Sequence, residues 1–304
     1  MGEKQATVPN YIKFAFGGLS GMGATCCVQP LDLVKTRIQL SGGSKAYSST
    51  LTAIKTIVGN EGVTTLYTGL SAGLARQASY TTTRLGVYTW LFEKVSQNGA
   101  PSFAMKAALG MTAGAVGSIV GNPTEVALIR MTGDGRLPLE QRRNYKNVFD
   151  AIFRIVKEEG VTTCWRGCTP TVARAMVVNA AQLATYSQAK QMILNTKVIQ
   201  DGLFCHFLAS MISGFVTTCA SMPVDIVKTK LQSMQVINGK PEFAGIGDVL
   251  SKTIKSEGFF SLWKGFTPYY FRLGPHTVIT FIILEQMNSA YNKKILGIEG
   301  KASL

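Results

Sequence analysis

Charge is scarce in this chain. Asp, Glu, Lys and Arg make up 16% of its 304 residues, against about 25% in an ordinary soluble domain. Acidic residues are the rarer sign, 17 against 31 Lys and Arg, which leaves a formal net charge of +14. Only two histidines are present, His206 and His276. With no H-E-x-x-H and no Walker-type phosphate loop, nothing points to metal or nucleotide chemistry. We therefore expect no metal site, no cofactor and no enzymatic activity. The six cysteines, Cys26, Cys27, Cys164, Cys168, Cys205 and Cys219, form no C-x-x-C pair. A disulfide framework is not expected in so large and apolar a chain, and these thiols read as small buried hydrophobes. Met1 to Asn10 lacks the apolar core of a secretory signal and the Arg-richness of a transit peptide, so any targeting is expected to be internal.

What the chain does have is apolar residues, 46% of the total, and a mean hydropathy of +0.17. That excludes disorder. Basic and apolar together leave two classes: nucleic-acid binders and membrane proteins that face anions.

The chain repeats itself. Glu61-Gly62-Val63-Thr64-Thr65-Leu66-Tyr67-Thr68-Gly69 returns as Glu159-Gly160-Val161-Thr162-Thr163-Cys164-Trp165-Arg166-Gly167, then as Glu257-Gly258-Phe259-Phe260-Ser261-Leu262-Trp263-Lys264-Gly265. Both steps are 98 residues. A second string precedes each copy, beginning at Pro30, Pro123 and Pro223. This period exceeds the roughly 20–50 residues of common solenoid units, so a closed three-fold object is the better reading. We place the repeats at 11–98, 104–196 and 204–296.

Within each repeat a long apolar stretch ends at the Pro string, about 11–39, 104–131 and 204–232. A polar loop and a short amphipathic segment follow, for example Val148, Ile152 and Ile155 at helical spacing. The Glu-Gly string then opens a second apolar stretch, about 71–95, 168–194 and 267–292. Each exceeds the roughly 20 residues a bilayer crossing needs. The fold class is therefore an all-α membrane protein with six transmembrane helices in three pseudo-symmetric repeats. A soluble helical bundle is the rival, and six membrane-length stretches argue against a nucleic-acid partner. Small residues at helical spacing, Gly17 and Gly21, Gly110, Gly114 and Gly117, Ala209 and Gly214, would let helices approach closely. Loops within repeats are long and those between repeats short, which puts the three long loops on one side and both termini on the other.

Fifteen residues beyond each repeat's Glu stands an arginine: Arg76, Arg174 and Arg272. Three cations at one level inside the membrane, with no local acid partner, are expected to repel one another unless an anion sits among them. A guanidinium fork suits a carboxylate. The neighbouring positions break the symmetry: Tyr80 matches Val178 and His276, and Arg84 matches Gln182 and Thr280. Arg76, Tyr80 and Arg84 line one helical face over about 12 Å. Asp32 with Lys35, and Asp225 with Lys228, also share helix faces, and charges in membrane segments tend to be paired and functional.

Pro-x-[Asp/Glu]-x-x-[Lys/Arg] at about 100-residue spacing, Pro30 to Lys35 and Pro223 to Lys228 with Pro123 to Leu128 as the variant copy, resembles the signature of the mitochondrial carrier family. The Glu-Gly…Trp-Arg-Gly strings resemble that family's matrix-helix motif. The resemblance implies six helices around a central cavity in the mitochondrial inner membrane, short matrix helices, termini toward the intermembrane space and long loops in the matrix. It implies a matrix gate of Asp32, Lys35, Glu125, Asp225 and Lys228, with Asp225 paired to Lys35, Glu125 to Lys228, and Asp32 facing Leu128 unpaired. Gln39 and Gln232 match the family's glutamine brace, with Thr132 in the third place. The cytoplasmic gate departs from the pattern and is weak, with Tyr88, Tyr186, Lys190 and Glu285 as its remnants. Arg76, Tyr80, Arg84, Arg174 and Arg272 are the implied substrate-binding residues, with Arg84, Arg174 and Arg272 in direct contact. Cardiolipin is implied as bound lipid at the helix N-termini after Trp165 and Trp263, and no protein partner is obligatory. Segments 76–84, 125–132 and 265–270 further imply exchange of 2-oxoglutarate for malate or related dicarboxylates by alternating access. A dicarboxylate/phosphate carrier or a proton-leak member shares the same frame and is the alternative.

Overall fold

The computed structural model describes residues 10–41, 44, 47, 49–97, 102–137, 139–195, 203–234, 236–237, 240–291 and 293. Both chain ends, including the N-terminal segment read above for targeting, and residues 98–101 and 196–202 of the inter-repeat connections lie outside them.

Each repeat builds a long helix, a short helix and a second long helix. They are α1 (Asn10–Gln39), α2 (Thr50–Glu61) and α3 (Leu70–Ser96), then α4 (Phe103–Asp134), α5 (Val148–Glu159) and α6 (Cys168–Asn195). The third set is α7 (Leu203–Ser233), α8 (Ile246–Glu257) and α9 (Phe266–Tyr291). Pro30, Pro123 and Pro223 lie inside α1, α4 and α7, which run on for two to three further turns rather than ending there. Each proline removes one backbone donor from its helix. The longest helices span about 45 Å at 1.5 Å per residue, more than the bilayer core.

The Glu-Gly strings are now explained locally. Gly62, Gly160 and Gly258, at φ 85°, 89° and 83°, stop the short helices. One tight turn follows, and a second left-handed glycine opens the next long helix. At Gly167 glycine is required twice over. Its φ is +77°, and a Cβ there would lie 2.7 Å from Cγ of Gln232.

The long helices close into a ring. α1 packs on α3 and α9, α4 on α3 and α6, and α7 on α6 and α9, so the α1–α9 contact seals the circle. The short helices pack beneath: Leu33, Val34 and Ile38 of α1 bury Ala53 and Ile57 of α2. Ala127 and Met131 of α4 meet Val148 and Ala151 of α5. Val227 and Leu231 of α7 cover Val249 of α8. Apolar side chains such as Leu19, Ile119, Val120, Phe215 and Ile282 remain exposed on the long helices.

The six membrane-length stretches all fold as long helices. Among the described residues, only Leu208–Ser233 is long and apolar enough to span a membrane by composition alone. The other long helices mix polar residues and glycines into the same length, because one of their faces lines the ring. Of the small-residue positions, Gly21 abuts the side chain of Gln77 and Gly117 lies against Arg84, where a Cβ would be 3.2 Å away. Gly17, Gly110 and Gly114 face open space instead. The six cysteines are free, but only Cys164 and Cys205 are buried; Cys26, Cys168 and Cys219 are half-buried and Cys27 is exposed. A two-residue ladder, Val236–Ile237 with Lys240–Pro241, interrupts the otherwise helical chain.

Candidate functional site

The Pro strings bring their charges together at one level. Lys35 Nζ donates to Asp225 at 3.0 Å, joining the first repeat to the third. Lys228 Nζ donates to Glu125 at 2.6 Å, joining the third to the second. Leu128 stands where the third cation would be. Asp32 nevertheless has a partner, which corrects the expectation of an unpaired acid: Arg272 Nε lies 2.9 Å from its carboxylate. Arg174 Nε likewise contacts Asp225. Two of the three arginines expected to stand without an acid therefore meet one. The reason is the ring: each repeat's arginine lies beside the acid of the following repeat, a neighbour distant in sequence. Arg76 and Glu125 keep the same order as joint walls of one cavity.

Gln39 and Gln232 sit just below. Gln39 Oε1 accepts from Thr229 at 3.0 Å, and Gln232 Nε2 donates to Asn122 at 3.3 Å. They lie against Gly265 and Gly167, while Thr132 lies against Gly69. The three-fold pattern is thus preserved with a smaller residue in one place.

A further layer was overlooked in the sequence. Arg37 grips Glu61 through two hydrogen bonds of 2.7 and 2.8 Å. Arg130 grips Glu159 at 2.5 and 2.8 Å, and Lys230 reaches Glu257 at 2.5 Å. Arg166 and Lys264 add a second cation to Glu159 and Glu257. Where the first repeat has Thr68, Arg142 stands 3.9 Å from Glu61 instead. Arg37 also donates to the backbone of Thr132, and Arg130 to that of Gln232, so this layer ties repeat to repeat. Burial alone would raise the Glu159 carboxyl. The bonds from Arg130 and the charges of Arg130, Arg143 and Arg166 instead hold it below the usual carboxylate range. The signal was present: a basic residue recurs seven positions after each proline, and the repeated Glu served only as a ruler.

On the other side of the paired layer lies a cavity of about 230 Å³, walled by Arg76, Tyr80, Arg84, Glu125, Arg174 and Lys228 among others. Four cations face one carboxylate there, an excess of positive charge that draws anions. Arg84 is exposed at its outer end. Arg272 is not on this wall and faces Asp32. His276 is half-buried, and the side chain of Gln182 lies outside the described residues. Near the far end of α3, Tyr88 stacks on Phe92 with ring centroids 5.9 Å apart. Tyr186 and Lys190 are partly buried and Glu285 is exposed.

Comparison with known proteins accounts for this architecture. A family model described as mitochondrial carrier protein matches residues 6–98, 99–197 and 200–295. The chain is 68% identical over 297 residues to the mitochondrial 2-oxoglutarate/malate carrier protein of Caenorhabditis elegans, covering 97% of both chains. It is 64% identical over 301 residues to the protein of the same name from Bos taurus, covering 97% of this chain and 96% of that one. Against the Homo sapiens protein of that name it is 63% identical over 298 residues, covering 96% and 95%. A three-fold helical ring, closed on one side by paired charges and lined by arginines, thus coincides with family matches across nearly the whole length: the chain belongs to the mitochondrial carrier family and is a mitochondrial membrane protein.

Proposed function

We propose that this protein exchanges 2-oxoglutarate for malate or related dicarboxylates across the mitochondrial inner membrane, as a transporter and not an enzyme. One observation carries the reading. Arg76, Arg84, Arg174 and Lys228 face the single carboxylate of Glu125 across one cavity, and Nε of Arg76 is buried there without a hydrogen-bond acceptor. Buried donors normally find partners, and an orphan costs about 1–3 kcal/mol. A dianion with a carboxylate at each end supplies acceptors to two guanidinium groups at once.

The cavity is open at the Arg84 end and closed at the paired layer. A dicarboxylate is drawn in by the excess positive charge. One carboxylate takes Arg174 and the other Arg84, Tyr80 donates to the oxo or hydroxyl oxygen, and Arg76 steers from the deeper end. Arg272 joins once Asp32 releases it. The matrix gate then consists of Lys35–Asp225, Glu125–Lys228 and Arg272–Asp32. Asp225 and Lys228 are buried and their partners half-buried, so desolvation offsets much of the attraction and each pair is worth about a few kcal/mol at most, within reach of substrate binding. Opening them while the far side closes gives alternating access around a fixed mid-membrane site. No bond is made or broken. The long loops face the matrix and both termini the intermembrane space. Cardiolipin binds the N-termini of α6 and α9 through backbone donors, since Arg166 and Lys264 are engaged by Glu159 and Glu257.

The test is counter-exchange in liposomes. Vesicles loaded with malate, and others loaded with phosphate, take up labelled 2-oxoglutarate, with Arg174→Ala alongside. Fast uptake against malate alone, lost in the variant, is expected. Malate–phosphate exchange without 2-oxoglutarate uptake would assign a dicarboxylate/phosphate carrier, and proton conductance without exchange a leak protein.

A further inference from the structure

Arg174 and Lys35 compete for one carboxylate. Both contact Asp225, so two cations from different repeats share a single acid from the third. Each cation has its own oxygen of Asp225, but like charges this close repel and one carboxylate does not neutralise both. The structure holds a fourth member that compensates. Tyr269 of α9 is buried, with 6% of its surface exposed. Its hydroxyl oxygen accepts from Arg174 Nη2 at 2.6 Å. Its ring face lies 3.9 Å from Lys35 Nζ. One side chain therefore offers a phenol oxygen to the arginine of the cavity and an aromatic face to the lysine of the gate.

Nothing in the repeat architecture demands this tyrosine. The equivalent positions, three residues before Arg76 and Arg174, are Gly73 and Thr171. Gly73 has no side chain to offer, and Thr171 accepts from Gln232 and has no aromatic face. Among the described residues the bridge stands in the sector where a substrate-facing arginine and a gate lysine meet the same acid.

We infer that Tyr269 is a positioning residue that couples occupancy of Arg174 to the Lys35–Asp225 gate pair. This rests on the reading of Arg174 as a substrate-holding arginine. In the empty site Tyr269 keeps the guanidinium aimed at the cavity edge and keeps Lys35 seated on Asp225. When a carboxylate takes Arg174, the guanidinium turns from Asp225 and from the phenol oxygen together. The ring that shields Lys35 is freed by the same movement, so the gate loosens only in the loaded site.

Two variants separate the two contacts. Tyr269→Phe keeps the ring over Lys35 and removes the oxygen from Arg174. Tyr269→Leu removes both. In liposomes, Tyr269→Phe is expected to raise KM for 2-oxoglutarate about tenfold with kcat little changed, the size set by one charge-assisted hydrogen bond. Tyr269→Leu is expected also to raise efflux of labelled 2-oxoglutarate into substrate-free medium, relative to exchange, about tenfold. A role in packing alone lowers the amount of folded carrier, which moves neither KM nor the efflux-to-exchange ratio. Unchanged KM and an unchanged ratio in both variants, with wild-type exchange intact, overturn the coupling and leave the substrate reading standing. Absence of malate–2-oxoglutarate exchange in the wild type overturns the substrate reading, and the coupling with it.

Discussion

Asp32 on the first long helix lies 2.9 Å from Arg272 Nε on the last. The two ion pairs beside it use lysines, Lys35 and Lys228. The third lysine position holds Leu128, and an arginine from the cavity level takes its place. The layer of three pairs, proposed as a gate, is complete in number but borrows one cation from the set proposed to hold substrate.

Leu128→Lys should return that cation. Its side chain already points toward the Gly69 and Gly73 backbone, where its Cδ1 would meet added Cβ atoms at 3.4 and 3.9 Å. With a lysine on Asp32, Arg272 is released and the closed gate gains about 1–2 kcal/mol. The expected result is a higher unfolding temperature and a several-fold slower exchange. A variant that exchanges as fast as wild type at unchanged stability would refute the view of the gate as an energetic barrier.

Glu125 and Lys228 should behave as one unit. Lys228→Ala strands a poorly exposed carboxylate, at a cost of about 3–5 kcal/mol. The double variant Lys228→Ala/Glu125→Ala should be less harmed than the sum of the single ones, with a coupling of about 1–3 kcal/mol in a double-mutant cycle. Thermal unfolding in detergent measures both, and strict additivity contradicts the pairing.

The two glycine sets should differ. Gly160→Ala meets only its positive φ, with open space around it, and should cost about 1–2 kcal/mol. Gly167→Ala meets a positive φ and also Gln232 Cγ at 2.7 Å, so it should cost more and disturb the brace. Equal losses of unfolding temperature would show that the close approach is relieved without consequence.

Glu159 gives the side of the ring that carries the short helices a pH dependence. Its folded carboxyl titrates below the ordinary 4.5, because the surrounding arginines outweigh burial. A depressed acid stabilises above its unfolded pKa, and that contribution is lost as pH falls through the folded one. Glu159→Gln should therefore destabilise by about 3 kcal/mol at neutral pH. The gap to wild type should narrow below about pH 4. A gap of the same size at pH 7 and at pH 3.5 would contradict it.

Much of this was readable in the chain itself. Three copies of a Pro string and a Glu-Gly string, 98 residues apart at the Glu, fix a three-fold plan. Glycine at Gly62 and Gly69 and their repeats fixes where one helix stops and the next begins. The arginine ladder, Arg76, Arg174 and Arg272, is visible by counting. The overlooked layer of Arg37, Arg130 and Lys230 was visible by the same counting, since each follows its proline by seven residues.

Partnership was not readable. Lys35 and Asp225 are 190 residues apart, and Arg174 reaches Tyr269 across 95. Spacing places a charge on a helix face but does not say which of several distant charges stands opposite. Length marked all six spans, while composition alone singles out Leu208–Ser233 among the described residues, because a helix that lines a polar ring on one side never reads as purely apolar. The sequence by itself determined three equivalent helical units and the level at which each presents its charges. Only the closing of α1 against α9 decided that Arg272 meets Asp32, and that Tyr269 stands between Arg174 and Lys35. Ion pairs form between groups brought within a few ångströms, and that proximity is a property of the closed ring rather than of any one repeat.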